Sequence, residues 1–98
     1  EAYLVDSDDT DHIIVGGKRG IYETLDEGDS YSQMSELQCL AIKKDAEATY
    51  AATSNGIYRL KDEKWNPYVL QGNYINALAI TDAYIVASID KHRLVVIK

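Results

Sequence analysis

Three stretches of the chain repeat one another about thirty-six residues apart, and no other feature narrows the possible folds so far. His12-Ile13-Ile14-Val15-Gly16-Gly17 followed by Gly20-Ile21-Tyr22-Glu23 returns as Ala48-Thr49-Tyr50-Ala51-Ala52-Thr53 followed by Gly56-Ile57-Tyr58-Arg59, a shift of 36 from Gly20 to Gly56. A third, more diverged copy follows in Ala83 to Ser88 and Arg93 to Val96. Leu40-Ala41-Ile42 and Leu78-Ala79-Ile80 stand before the second and third copies. A period of this size marks a repeat architecture, because one supersecondary unit cannot bury its own apolar face and must stack on its neighbours.

The unit is a set of short strands. His12 to Gly17, Gly20 to Thr24, Ala48 to Thr53, Gly56 to Leu60, Tyr84 to Ser88 and Arg93 to Ile97 are runs rich in Ile, Val, Tyr and Thr, bounded by Gly, Asn, Asp and Lys. None keeps a helical period. The turns Lys18-Arg19, Ser54-Asn55 and Ile89 to His92 read as hairpins, and the glycine after the first two supplies the positive φ that a tight turn needs. Tyr3 to Val5, Leu37 to Ile42 and Tyr74 to Ile80 add an inner strand to each unit, and Tyr31 to Ser35 and Trp65 to Leu70 add an outer one. The expectation is therefore an all-β chain of four-stranded antiparallel units, three in number, the last lacking its fourth strand.

Four-stranded sheets repeated head to tail, with a small apolar first strand such as Leu-Ala-Ile, describe blades of a β-propeller, whose innermost strands crowd the central channel. The whole chain, 1–98, then reads as one propeller segment with blades near 1–36, 37–73 and 74–98. An immunoglobulin-like sandwich also uses short strands and regular turns, but gives no reason for the register to repeat. A ring of four to eight blades is not closed by three. Either identical chains assemble or the segment belongs to a larger propeller chain, and an opening Glu1 in place of Met reads as a processed or excised piece.

Charge and composition exclude several classes. A formal net charge of -6 opposes general nucleic-acid binding, which needs a lysine- and arginine-rich surface. No apolar run reaches membrane-spanning length and no signal-peptide pattern opens the chain, so membrane insertion is not expected. The single cysteine, Cys39, rules out an internal disulfide, leaves the compartment open, and reads as an inert buried thiol within its apolar run.

At Val15 to Tyr31 the residues become familiar. Thr24, Asp26, Gly28, Ser30 and Tyr31 fit the pattern Ser/Thr-x-Asp-x-Gly-x-Ser/Thr-aromatic, and the stretch resembles the Asp-box blade of BNR, or sialidase-like, propellers and of photosystem II assembly factors. Tyr50 to Leu60 is similar to the repeat of two-component-regulator sensor propellers. The second unit keeps Asp62 and Trp65 but carries Glu63 and Lys64 where the box wants a hydroxyl and a glycine, and the third has no box. In this family the box is a structural turn away from the catalytic face. Its aspartate accepts backbone N–H bonds, Gly28 permits a left-handed backbone, and the aromatic ring is expected to pack inward.

Catalysis of the sialidase type asks, in that family, for three arginines gripping a carboxylate, a tyrosine nucleophile and paired acids. Arg19, Arg59 and Arg93 are the arginines here, Arg59 lies within a strand, and no acid pair sits beside a tyrosine. Nucleophile triads, P-loops and Cys/His metal sets are absent from the sequence, so no enzyme and no cofactor is expected. Asp6, Asp8, Asp9 and Asp11 could supply oxygen ligands to Ca²⁺, but without the glycine and downstream glutamate of an EF-hand they read as a solvated turn. His12 reads as a strand residue and His92 as a turn residue. Tyr22 and Tyr58 recur at one blade position and read as interblade packing, or as platforms for sugar stacking.

In an up-and-down unit the first-to-second and third-to-fourth turns share one end, which gathers most of the 16 acids. The opposite end gathers Lys18, Arg19, Lys91, His92 and Arg93, beside Ser54 and Asn55. Ligands are expected at these seven residues, because loops on a rigid scaffold carry function and a basic end steers an acidic partner. The expected function is a non-catalytic binding or assembly scaffold for a protein partner. Alternatives are a small glycan-binding lectin with sites between blades, a sensor-domain fragment and a degenerate glycosidase.

Overall fold

The computed structural model describes residues 2–7, 13–26, 28–44, 48–62, 64–81, 83–90 and 93–97, with the backbone alone for 2–7. The β-branched and aromatic runs become eleven strands there, and no helix is present among the described residues. They are β1 (Ala2–Ser7), β2 (Ile13–Gly17), β3 (Gly20–Thr24), β4 (Ser32–Ser35), β5 (Cys39–Lys44), β6 (Thr49–Thr53), β7 (Gly56–Lys61), β8 (Lys64–Val69), β9 (Ile75–Ile80), β10 (Ile85–Ile89) and β11 (Arg93–Ile97). Each run anticipated above is a strand, with its ends moved by at most two residues.

Strands pair only with their neighbours in the chain. Three antiparallel sheets result, β1-β2-β3-β4, β5-β6-β7-β8 and β9-β10-β11. In the second sheet Thr53 pairs with Gly56 across the Ser54-Asn55 turn. Gly56 sits at φ 89°, and a Cβ there would come within 2.7 Å of the Leu70 carbonyl carbon and oxygen, so both conformation and space require glycine. In the third sheet Asp90, at φ 52°, takes the left-handed position that follows Ile89.

The sheets stack face to face in chain order. β5 lies against β1 and β2, β9 lies against β5 and β6, and β4 approaches β8 on the outer side. The first interface is filled by Ile14, Ile21, Cys39, Ile42 and Ala51, flanked by Met34, Leu60 and Trp65. The second is filled by Ala41, Tyr50, Ala52, Ile57, Ile75, Leu78, Ile85, Ala87 and Ile89. Ile21, Ile57 and Ile75 are fully buried, each burial stabilising the stack by about 1.5–3 kcal/mol.

The middle sheet is covered on both faces. Every residue of β6 is buried, with Ala51 facing the first sheet and Tyr50 and Ala52 facing the third. In β5 strict alternation would send Cys39 and Ala41 to the same side, but a register shift between them turns Cys39 to the first interface and Ala41 to the second. The stack is open, its extents being 39 × 27 × 20 Å.

Candidate functional site

The basic end is built by the hairpin turns and by the connections between sheets. Gly56 N donates to Asn73 O at 2.7 Å and Gly72 N donates to Asn55 Oδ1 at 2.7 Å, which places the β6–β7 turn against the β8–β9 connection. Lys18 and Arg19 are exposed on the β2–β3 turn. Their turn is braced from β4, where Gln33 Nε2 donates to Arg19 O and to Tyr22 Oη, both at 3.1 Å.

Ser54 and Asn55 are half-buried, and Asn55 is tied to the fold by its side chain and its amide. Its Nδ2 donates to Tyr58 Oη at 3.1 Å, its Oδ1 receives Gly72 N, and its own N–H donates to Thr53 Oγ1 at 3.0 Å. Arg93 is exposed at the start of β11, opposite Ile89. Lys91 and His92 lie outside the described residues. The described cations of this end are thus Lys18, Arg19 and Arg93, with the exposed acids Glu36 and Asp90 among them.

At the other end the β3–β4 turn closes on Asp26. Thr24, buried at the end of β3, donates its hydroxyl to Asp26 Oδ1 at 2.7 Å and accepts Asp26 N at 3.3 Å and Gly28 N at 3.0 Å. Asp26 in turn accepts Ser30 N at 2.9 Å and Ser30 Oγ at 2.6 Å. These bonds, led by the Ser30 hydroxyl and then that of Thr24, hold the Asp26 carboxyl at a pKa of about 2, below its ordinary 3.8. Gly28 takes φ 96°. Tyr31 is 52% exposed and so is not buried as expected, but its hydroxyl lies over the turn, 3.4 Å from where a Cβ on Gly28 would stand. The turn itself is closed by the hydrogen bonds among Thr24, Asp26, Gly28 and Ser30.

The second sheet closes the matching turn differently. Asp62 itself is left-handed at φ 53°, and Asn66 Nδ2 donates to Lys61 O at 3.3 Å and Lys64 O at 3.0 Å. Sequence reading passed over Asn66 and Gln33, whose only signal is a polar side chain in an outer strand. Arg59 spends its guanidinium on Tyr68, 4.9 Å from the ring centre, and Tyr68 meets Tyr50 at 5.4 Å.

Asp6 lies in β1, and Asp8, Asp9, Asp11 and His12 lie outside the described residues. No cluster of His, Cys, Asp and Glu suited to a metal ion occurs among the described residues. Cys39 is fully buried, and loss of solvation pushes its thiol up to about 12, so at neutral pH it stays protonated. No helix of the described residues is long and apolar enough to cross a membrane. No family model, no curated protein and no solved structure matches the chain.

Proposed function

We propose that the chain is a β-propeller segment of the Asp-box type that acts as a non-catalytic assembly scaffold, its hairpin-turn end meeting a protein partner with an acidic surface. The observation that carries the reading is the stacking order. First strands lie beside first strands and outer beside outer, β1 to β5 to β9 and β4 to β8, as blades lie around an axis. Such a stack fixes the hairpin turns on a rigid frame and leaves Lys18, Arg19 and Arg93 outward.

Among the described residues, the two groups with strongly displaced pKa values, Asp26 and Cys39, both support a structural role. Asp26 is held ionised by the turn it closes, and Cys39 is held neutral by burial, so neither is poised for proton transfer or nucleophilic attack near neutral pH. A lectin with sugar between blades would need open polar clefts. The two interfaces are instead filled by Ile14, Ile21 and Ile42 and by Tyr50, Ile57 and Ile75.

Affinity capture from an extract of the source, run side by side with the wild type and a Lys18→Glu/Arg19→Glu chain of unchanged circular dichroism, tests this. The wild type retains a salt-sensitive protein partner that the charge-reversed chain loses. An unchanged partner set, or saturable binding on a glycan array, would sink the scaffold reading.

A further inference from the structure

The repeat allows the same position to be compared in three sheets. Ile21, Ile57 and Leu94 are each the second residue of the third strand in their sheet, the register pairs being Gly16 with Ile21, Ala52 with Ile57 and Ser88 with Leu94. Ile21 and Ile57 are 0% exposed, and Leu94 is 76% exposed. The difference is what lies in front. The second sheet covers Ile21 and the third covers Ile57, whereas none of the three described sheets lies on Leu94.

Leu94 does not stand alone. Ala77, Ser88 and Leu94 form one cross-strand row and Ala79, Val86 and Val96 the next, all on the face turned away from the second sheet. Val96 is 54% exposed, and Ala77 and Ala79 are exposed as well. This is a contiguous apolar surface without a charged side chain in either row, the kind of patch that marks an interaction site.

The opposite end of the stack holds the other half of the same contact. Each internal interface joins the forward face of one sheet to the rear face of the next, and the rear faces of the second and third sheets place Ala51 and Ala87 at 0% exposure. The residue at their position in the first sheet is Val15, which is half-buried and pairs with Tyr22, beside Ile13. None of the three described sheets lies behind that rear face. The second sheet stands between the two free faces, so one chain does not bring them together.

We infer that a second copy of this chain covers the third sheet, its Ile13, Val15 and Tyr22 seated on Leu94 and Val96. The partner is chosen by continuity: the surface that fits is the rear face of this repeat, and among the described sheets the first carries such a face uncovered. The contact is heterologous, and two copies complete it twice around a two-fold axis, giving six sheets, within the four to eight of closed propeller rings. The inference rests on the propeller reading of the stack and is independent of what the hairpin turns bind.

The test is the mass of the 98-residue chain in solution by sedimentation equilibrium over a wide concentration series. The expected species is twice 11.0 kDa. Leu94→Glu, a change at a residue that the monomer leaves exposed, gives a monomer with unchanged β circular dichroism. Leu25→Glu, at an exposed position on the β3–β4 turn, remains dimeric. Val15→Glu also gives a monomer, and mixing it with Leu94→Glu restores a dimer, because one intact pair of faces survives. Should Val15→Glu fail to fold, Tyr22→Lys on the same face takes its place in the mixing experiment. A monomeric wild type, a dimer that survives Leu94→Glu, or a rear-face variant that still dimerises alone, which would signal third sheet on third sheet, overturns the inference.

Discussion

The amide of Ser54 donates to the carbonyl of Gln38 at 3.1 Å, and thirty-six residues further on the amide of Asp90 donates to the carbonyl of Tyr74 at 2.9 Å. Each bond ties a hairpin turn to the chain entering the same sheet. Neither side chain is preserved between the copies, since Ser becomes Asp and Gln becomes Tyr, yet the backbone contact is kept. The frame of the basic end is therefore set by main-chain geometry, and its side chains are free to differ.

Close approach at the first interface makes Gly16 a sensitive position. A Cβ on it would lie 2.5 Å from Cys39 Sγ and 3.0 Å from Ile42 Cδ1, both in the buried interface. Gly16→Ala should cost about 1–3 kcal/mol in urea unfolding. The double variant with Cys39→Ala should recover part of that loss, because the nearest clashing atom is gone. Additive losses in the two single variants would show that the contact does not govern the spacing.

The pH dependence of Asp26 has a definite sign. Its folded pKa, about 2, lies below the ordinary 3.8, so the stabilisation is complete above 3.8 and is lost as pH falls towards 2. Thermal melts of the wild type should decline across that window more steeply than those of Asp26→Asn, which has no carboxylate to protonate. Parallel pH profiles of the two chains would remove the turn from the account.

Asn55 serves as donor to Tyr58 and as acceptor for Gly72. Asn55→Ala should lower stability by about 0.5–1.5 kcal/mol, since Gly72 is exposed and Tyr58 half-buried, so that water replaces much of what is lost. Asn55→Asp keeps the acceptor for Gly72 and should lose less. If instead both variants unfold like the wild type but lose a partner, Asn55 belongs to the binding surface.

Amide hydrogen exchange should be slowest in β6, which is buried along its whole length, and faster in β4, an outer strand where Ser32 and Gln33 are exposed. The Cys39 thiol should resist alkylation until denaturant opens the first interface, and then react at once. Rapid labelling of the native chain would contradict its burial.

The strands were legible because β-branched runs between Gly, Asn and Asp turns recur at a fixed interval, and two nearly equal copies check each other. The left-handed Gly28 was legible from the Thr24 to Ser30 spacing. The side to which each residue of β5 turns was not, because the irregularity between Cys39 and Ala41 breaks alternation without a glycine or proline to announce it. Asn55 looked like an exposed turn residue because nothing local reveals that Gly72, seventeen positions later, returns to it. Tyr31 was legible in part: the pattern places an aromatic there and its hydroxyl does lie over Gly28, but how far the residue is buried is set by packing that the pattern does not encode.

Enclosure of the middle sheet on both sides has a consequence for how such a chain can change over generations. Copying residues of that sheet and inserting the duplicate beside the original would create a second enclosed layer, with each new surface meeting one that already accepts it. Growth of this kind adds no greasy exterior, because the number of uncovered apolar faces is the same before and after the duplication.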